Sequence, residues 1–171
     1  GGTIVSKASQ PISELNVFEH STKDLKTVPI ICYETVYGEF VSSYTKKGGD
    51  FITIISNDAW WGNTAGHKQL LSYARLRAIE NRRYIVRSAN SGISSIIDHK
   101  GEILSTLEYG KYGILTGTAE KVTGKTFYNG YGDFIARISI FISVSMILIL
   151  FVTSNKNFNY TLPLDSPMRY N

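Results

Sequence analysis

Residues 28–58 read VPIICYETVYGEFVSSYTKKGGDFITIISND, and this stretch decides the fold. Residues 28–33 are a short, mostly apolar run with β-branched side chains, which predicts a buried strand. Tyr37, Phe40, Val41 and Tyr44 then fall at i, i+3, i+4 and i+7, one face of a helix. Lys46 and Lys47 sit in its last turn, and Gly48-Gly49 ends it. Residues 51–56 (FITIIS) predict a second buried strand. Strand, helix, strand in close succession argues a layered α/β architecture.

Working outward, residues 57–66 (NDAWWGNTAG) read as a loop. Residues 67–83 predict a second helix, with Leu70, Leu71, Ala74 and Ala78 on its apolar side. Residues 84–88 give a third strand. The Asn90-Ser91-Gly92 turn leads to a strand over 93–97, and Asp98-His99-Lys100-Gly101 turns the chain into 102–107. Residues 112–117 are expected to add one more strand. These hairpins argue a mixed sheet. Residues 1–27, with Pro11 and scattered charge, read as a loop-rich lead-in.

The 171 residues allow one domain, or one domain and an appendage. Hydrophobic residues are 43% and charged residues 19%, a globular balance that excludes a disordered tail as the whole. The net charge is +4, with no dense Lys/Arg run, so no nucleic-acid partner is expected. A lone cysteine excludes an internal disulfide framework and a multi-cysteine zinc site. His20, His67 and His99 follow no ligand spacing; His67 opens a helix and His99 sits in a turn, so both read as surface histidines. The chain opens Gly1-Gly2 and is expected to be part of something longer.

Composition changes at residue 134. Residues 134–152 read FIARISIFISVSMILILFV, with Arg137 the only charge. About 20 apolar residues cross a bilayer as a helix, and a charge near one end can snorkel. The competing reading is a buried core helix, though core helices of this length carry a polar face. Ser139, Ser143 and Ser145 suit helix packing in lipid, and Tyr128 and Tyr131 stand where an aromatic belt would lie. Lys121 and Lys125 on one flank balance Lys156 and Arg169 on the other, so charge does not set orientation. The expected division is a lead-in over 1–27, a layered α/β unit over 28–133, a transmembrane helix over 134–153 and a polar tail over 154–171.

Cys32 is the sharpest chemical feature. It lies at the end of a strand just before a helix, where the helix N-terminus favours a thiolate and the turn pushes the side chain outward. Glu34 follows two residues later, where it could orient a reacting group. The plainer reading is a small buried hydrophobe. Asn57 and Asp58 end a strand, where catalytic loops lie, or they cap the next element. Arg75, Arg77, Arg82, Arg83 and Arg87 are either a headgroup-facing cluster or, as favoured here, a solvated face. No GxSxG, P-loop or GxGxxG is present.

In order along the chain stand Ile31-Cys32-Tyr33-Glu34, then Ser56-Asn57-Asp58-Ala59-Trp60-Trp61-Gly62. After them come ARLRAIE at 74–80 and RSANSGIS at 87–94. Together these resemble the carbon–nitrogen hydrolase (nitrilase) superfamily and, within it, the apolipoprotein N-acyltransferase family, from about residue 29 to 137. The resemblance implies the second half of an α-β-β-α sandwich followed by one transmembrane helix. It implies that Cys32 is the nucleophile, with Tyr33 and Glu34 supporting it. It makes the Trp60-Trp61 loop a mobile lid beside substrate, the alternative being ordinary core packing. Asn57 and Asp58 are candidate substrate contacts beside it.

The implied chemistry takes an acyl chain from a phospholipid donor as a thioester and passes it to the amine of a lipoprotein acceptor. No metal or organic cofactor is implied. The implied place is the bacterial cytoplasmic membrane, in a multi-pass parent protein with the catalytic domain on its outer side. The family's triad also uses a Glu base and an oxyanion-stabilising Lys. Lys7, Lys23, Lys26, Glu14 and Glu19 precede Cys32, but none sits in the family's Lys or Glu motif. This chain alone is therefore expected to be inactive, and to be poorly soluble with a sheet face uncovered. Two other functions fit the residues less fully: a nitrilase-type amidase with water as acceptor, and a non-catalytic membrane-anchored module with an ordinary thiol.

Overall fold

The computed structural model describes residues 16–21 and 24–158. They form two compact units that divide between Gly132 and Asp133. The first holds six strands in sequence order: β1 (Phe18–Glu19), β2 (Lys26–Ile31), β3 (Phe51–Asn57), β4 (Tyr84–Asn90), β5 (Ser94–Ile97) and β6 (Ile103–Leu107). β2, β3 and β4 are parallel, in the register Val28↔Ile52↔Ile85. β1, β5 and β6 pair antiparallel, so the sheet is mixed as expected.

The parallel connections are helical. α1 (Gly38–Lys46) joins β2 to β3 and α2 (Ala65–Asn81) joins β3 to β4. Alternation along the strands sends Val28, Ile30, Ile52, Ile54, Ile85 and Ile97 to one face, where Val41 and Tyr44 of α1 and Ala74 and Ala78 of α2 cover them. The other face stays open; Ile31 and Ile55 on it are each 62% exposed.

α2 hides a second stripe that hydrophobicity does not announce. His67, Leu70, Ala74, Arg77, Ala78 and Asn81 are all buried, at helical spacing, and half of them are polar. Asn81 Oδ1 accepts from Ser42 Oγ (2.8 Å) and Thr45 Oγ1 (2.8 Å) of α1. Asn129, in the short helix α3 (Phe127–Tyr131), donates Nδ2 to Thr45 Oγ1 (2.7 Å) and to Asn81 Oδ1 (3.2 Å). One buried carboxamide thus ties three helices together.

Two sequence expectations are corrected. Residues 112–117 form no strand: Tyr112 and Ile114 are fully exposed. A strand needs a ladder of backbone partners, and this segment instead crosses the open face. There Gly113 and Leu115, with Val86, Ser88, Ile96 and Leu107, line a cavity of about 140 Å³. The segment is then tied by Lys121 to Asp50 (3.3 Å) and by Arg83 to the Gly124 carbonyl (3.3 Å). Nor is the lead-in wholly loop, since β1 and the start of β2 lie within it; residues 1–15, 22 and 23 lie outside the described residues.

The second unit carries α4 (Phe134–Phe158), of which Phe134–Ser154 is long and apolar enough to cross a membrane. None of that span is buried, unlike a core helix. Its serines bond within the helix, Ser143 Oγ to the Ser139 carbonyl (2.8 Å) and Ser145 Oγ to the Phe141 carbonyl (2.8 Å). Their hydroxyls therefore need no outside partner. Tyr131 is exposed, whereas Tyr128 packs its hydroxyl against Gly38. The residues of the expected tail from 159 on lie outside the described residues.

Replacing Asn81 by Ala strands the buried Ser42 hydroxyl and takes one of the partners of Thr45 Oγ1 and of the Asn129 amide. We expect a loss of about 1–3 kcal/mol, read as a lower denaturation midpoint; an unchanged midpoint would show that the network adds nothing to stability.

Candidate active site

Cys32 follows the last residue of β2 and opens a 3₁₀ turn, Cys32–Val36. Its φ is 49°, in the left-handed region, which costs a residue bearing a Cβ roughly 1–2 kcal/mol. Local bonds hold it there. The Glu34 carboxylate accepts from the Ile31 N–H (2.8 Å). Thr35, itself buried, donates Oγ1 to the Cys32 carbonyl (2.8 Å), and the Tyr37 N–H donates to the Glu34 carbonyl (3.1 Å). The turn also packs on α2 and β3.

The chain thus reverses sharply at a half-buried cysteine, the kind of strand-end elbow that lifts a nucleophile out of a sheet. Glu34, which the sequence offered as an orienting group for a reactant, has its carboxylate on the backbone of this elbow. Burial, and then the charge of Glu34, push the Tyr44 phenol above its ordinary range. Tyr33 is 53% exposed beside Cys32, its ring edge-on to Tyr37 at 6.1 Å.

β3 and β4 end on the same edge of the sheet, because they run parallel to β2. Ligands of open parallel sheets gather at this carboxyl edge. Asn57 is exposed there, its Oδ1 accepting from the Ala59 N–H (3.2 Å) and Asn90 Nδ2 (3.4 Å). Asp58, the other candidate substrate contact, is fully buried. It accepts from Arg87 Nη2 (2.7 Å) and Ser56 Oγ (2.5 Å), and its N–H donates to the Asn90 carbonyl (3.2 Å). A buried carboxylate with these partners frames the loops. Its backbone carbonyl accepts from the Trp61 N–H (3.1 Å) and so starts the Ala59–Trp61 turn. On that turn Trp60 is 85% exposed and Trp61 43%, which removes core packing as the reading for Trp60.

Other expectations fall differently. The arginines are a solvated face only in part: Arg75 and Arg82 are exposed, Arg75 donating to the Gly101 carbonyl (2.8 Å), whereas Arg77, paired with Glu80 (3.0 Å), and Arg87, paired with Asp58, are buried. Arg83 donates to the Gly49 carbonyl (2.8 Å), and Arg82 ends α2 in the left-handed region. His67 is not on the surface. It is 1% exposed and lies against Tyr109, with ring centroids 4.6 Å apart. His99 is half-buried beside Tyr84.

Lys26 pairs with Glu19 (2.6 Å), which raises the lysine's pKa. This pair stands at the opposite end of β2, about 20 Å from Cys32 at 3.3 Å per strand residue, too far to serve it. Lys7, Glu14 and Lys23 lie outside the described residues. Among the described residues no cluster of His, Cys, Asp and Glu could hold a metal ion. The sequence reading passed over Tyr109 and Asn81. Asn81 had one available signal, its helical spacing from Ala74 and Ala78.

The sequence matches the carbon–nitrogen hydrolase family over residues 5–126, and the chain belongs to that family. Apolipoprotein N-acyltransferase 2 of Leptospira interrogans is 39% identical over 125 residues, which cover 69% of this chain and 20% of that protein. The apolipoprotein N-acyltransferase of Rickettsia prowazekii is 37% identical over 131 residues, 76% of this chain and 26% of that protein. The chain thus spans only 20% and 26% of the length of these curated relatives. A nitrilase-superfamily protein of Saccharomyces cerevisiae shares a TM-score of 0.49 at 21% identity, over 63% of this chain and 41% of its own.

The strain at Cys32 has a measurable consequence. Glycine occupies the left-handed region without penalty. Cys32→Gly should therefore be more stable than Cys32→Ala by about 1 kcal/mol, seen as a higher thermal midpoint. Equal midpoints would mean that the elbow is relaxed.

Proposed function

We propose that this chain supplies the nucleophile and the membrane-side end of an apolipoprotein N-acyltransferase. One observation carries the reading: an accessible cysteine held in the left-handed region at the edge where three parallel strands end. The names of the relatives, and the CYE and SNDAW motifs that stand at this edge, support the choice of reaction.

In the first half-reaction the Cys32 thiolate attacks the ester carbonyl of a phospholipid. The tetrahedral intermediate collapses, the S–acyl bond stays, and the lysophospholipid leaves as its alkoxide, taking up a proton. The Tyr33 N–H, at the start of the 3₁₀ turn, is proposed to meet the developing oxyanion. In the second half-reaction the α-amine of a diacylglyceryl-cysteine attacks the thioester, the thiolate departs and the amine loses a proton. The product is an amide. No residue of this chain is assigned the general base or the oxyanion lysine.

Trp60 is proposed to meet the lipid substrate, since an exposed indole suits the membrane interface. Phe134–Ser154 is proposed to span the bacterial cytoplasmic membrane, with the catalytic unit on its outer side. The proposed division keeps a half-domain up to residue 133, a spanning helix over 134–153 and a tail from 154.

The test uses the whole reading frame that carries this chain, in phospholipid. Intact mass should show an acyl adduct on the wild-type protein that disappears in Cys32→Ala. No adduct from a correctly inserted wild-type protein would remove the acyltransferase reading; turnover of a small amide without an adduct from lipid would point to an amidase.

A further inference from the structure

Three loops meet at the carboxyl edge of the sheet. The first carries Trp60 and Trp61, the second is the β4–β5 turn at Ser91-Gly92, and the third follows β6 at Tyr109-Gly110. Contacts link them in a ring. Asp58 starts the tryptophan turn, and Gly92 lies so close on its carboxylate that no Cβ would fit. The Gly110 N–H donates to the Ser91 carbonyl (3.0 Å). Tyr109 stacks on His67. His67 Nδ1 bonds the Gly62 carbonyl (3.2 Å), the residue that ends the tryptophan turn. A carbonyl oxygen only accepts, so Nδ1 carries the proton.

We propose that His67 is a positioning residue, the clasp that closes this ring and holds the tryptophan turn, so that Trp60 projects from a fixed base. The burial of His67 fits this role. An imidazole in the first turn of a helix is ordinarily free to reach solvent, yet this one lies under Tyr109 with its donor on Gly62. Neighbouring contacts act in the same direction. Thr64 donates Oγ1 to the Trp61 carbonyl (2.7 Å) while accepting from the Gly66 N–H (3.3 Å), and Gly66 lies flat against the Trp61 indole. The base of the turn is therefore bonded on both sides, and only Trp60 stands free of it. This differs from a mobile lid: the indole is offered from a rigid rim. That the indole meets a lipid rests on the function proposed above, whereas the clasp does not.

Hydrogen exchange of the full protein, read on peptides covering residues 59–64, tests the clasp without any assay of activity. The Trp61, Gly62 and Thr64 amides all donate within this turn. His67→Phe keeps the ring against Tyr109 and removes the donor. Exchange over 59–64 should then run about fivefold faster, the factor that corresponds to one hydrogen bond of about 1 kcal/mol. Peptides from β3 and β4 should not change. His67→Asn returns an N–H near the place of Nδ1 but not the ring, so exchange there should be slower than in His67→Phe and still faster than in the wild type.

Unchanged exchange in His67→Phe would overturn the proposal, and so would an equal acceleration through α2 and the sheet. If His67→Phe does not accumulate, Tyr109→Leu removes the stack alone and must still speed exchange over 59–64; no change there would also overturn it. A protein that forms no Cys32 adduct but shows the local acceleration would lose the proposed function and keep the clasp. The reverse pattern would lose the clasp and keep the function.

Discussion

The hydrogen bond from the Ile31 amide to the Glu34 carboxylate turns β2 from a strand into an elbow. Left-handed backbone at Cys32 costs roughly 1–2 kcal/mol, and a hydrogen bond to a charged group contributes about 1.5–3 kcal/mol. This bond is exposed, so solvent screens it and it offsets only part of the strain. Thr35 adds a second bond to the Cys32 carbonyl, and its burial against the rest of the fold keeps the turn in register. Without this local closure β2 would run on into α1 and Cys32 would alternate into the pleat. With it the thiol stands at the edge of the sheet.

The rest of the site follows from strands that run in parallel. Because β2, β3 and β4 point the same way, their ends bring Cys32, Asn57 and Asn90 to one edge. A buried ion pair, Asp58 with Arg87, then locks the end of β3 to β4. Removing one partner of such a pair leaves an uncompensated charge and costs about 3–5 kcal/mol. This is a stiff frame under the edge that carries Cys32. The helical face below is closed by isoleucines and the Asn81 network, while the opposite face leaves Ile31 and Ile55 largely in solvent.

The strands and helices were legible because apolar side chains recur at the two periods that strands and helices impose. Cys32 was legible because it follows a strand and precedes a helix. Its backbone angle was not, since nothing in a cysteine favours the left-handed region. Glu34 was seen as chemistry, and its bond to Ile31 shows it as local structure. In the polar half of the α2 stripe, His67 and Arg77 were read as surface groups and Asn81 was passed over. His67 packs on Tyr109, and Asn81 bonds Ser42, Thr45 and Asn129, all distant positions that no local pattern connects; the partner of Arg77, Glu80, is local, and only its burial was hidden. The supposed strand at 112–117 failed for a related reason: a strand needs a hydrogen-bonded neighbour, which no short run of residues can supply by itself.

The most direct measurement is the rate at which a neutral alkylating agent modifies Cys32 at neutral pH. It would be read by mass spectrometry in the folded full-length protein and again in the unfolded chain. An elbow built to present a nucleophile predicts faster alkylation when folded. Slower alkylation in the folded protein would describe a buried structural thiol, and would contradict the assignment of Cys32 as the nucleophile.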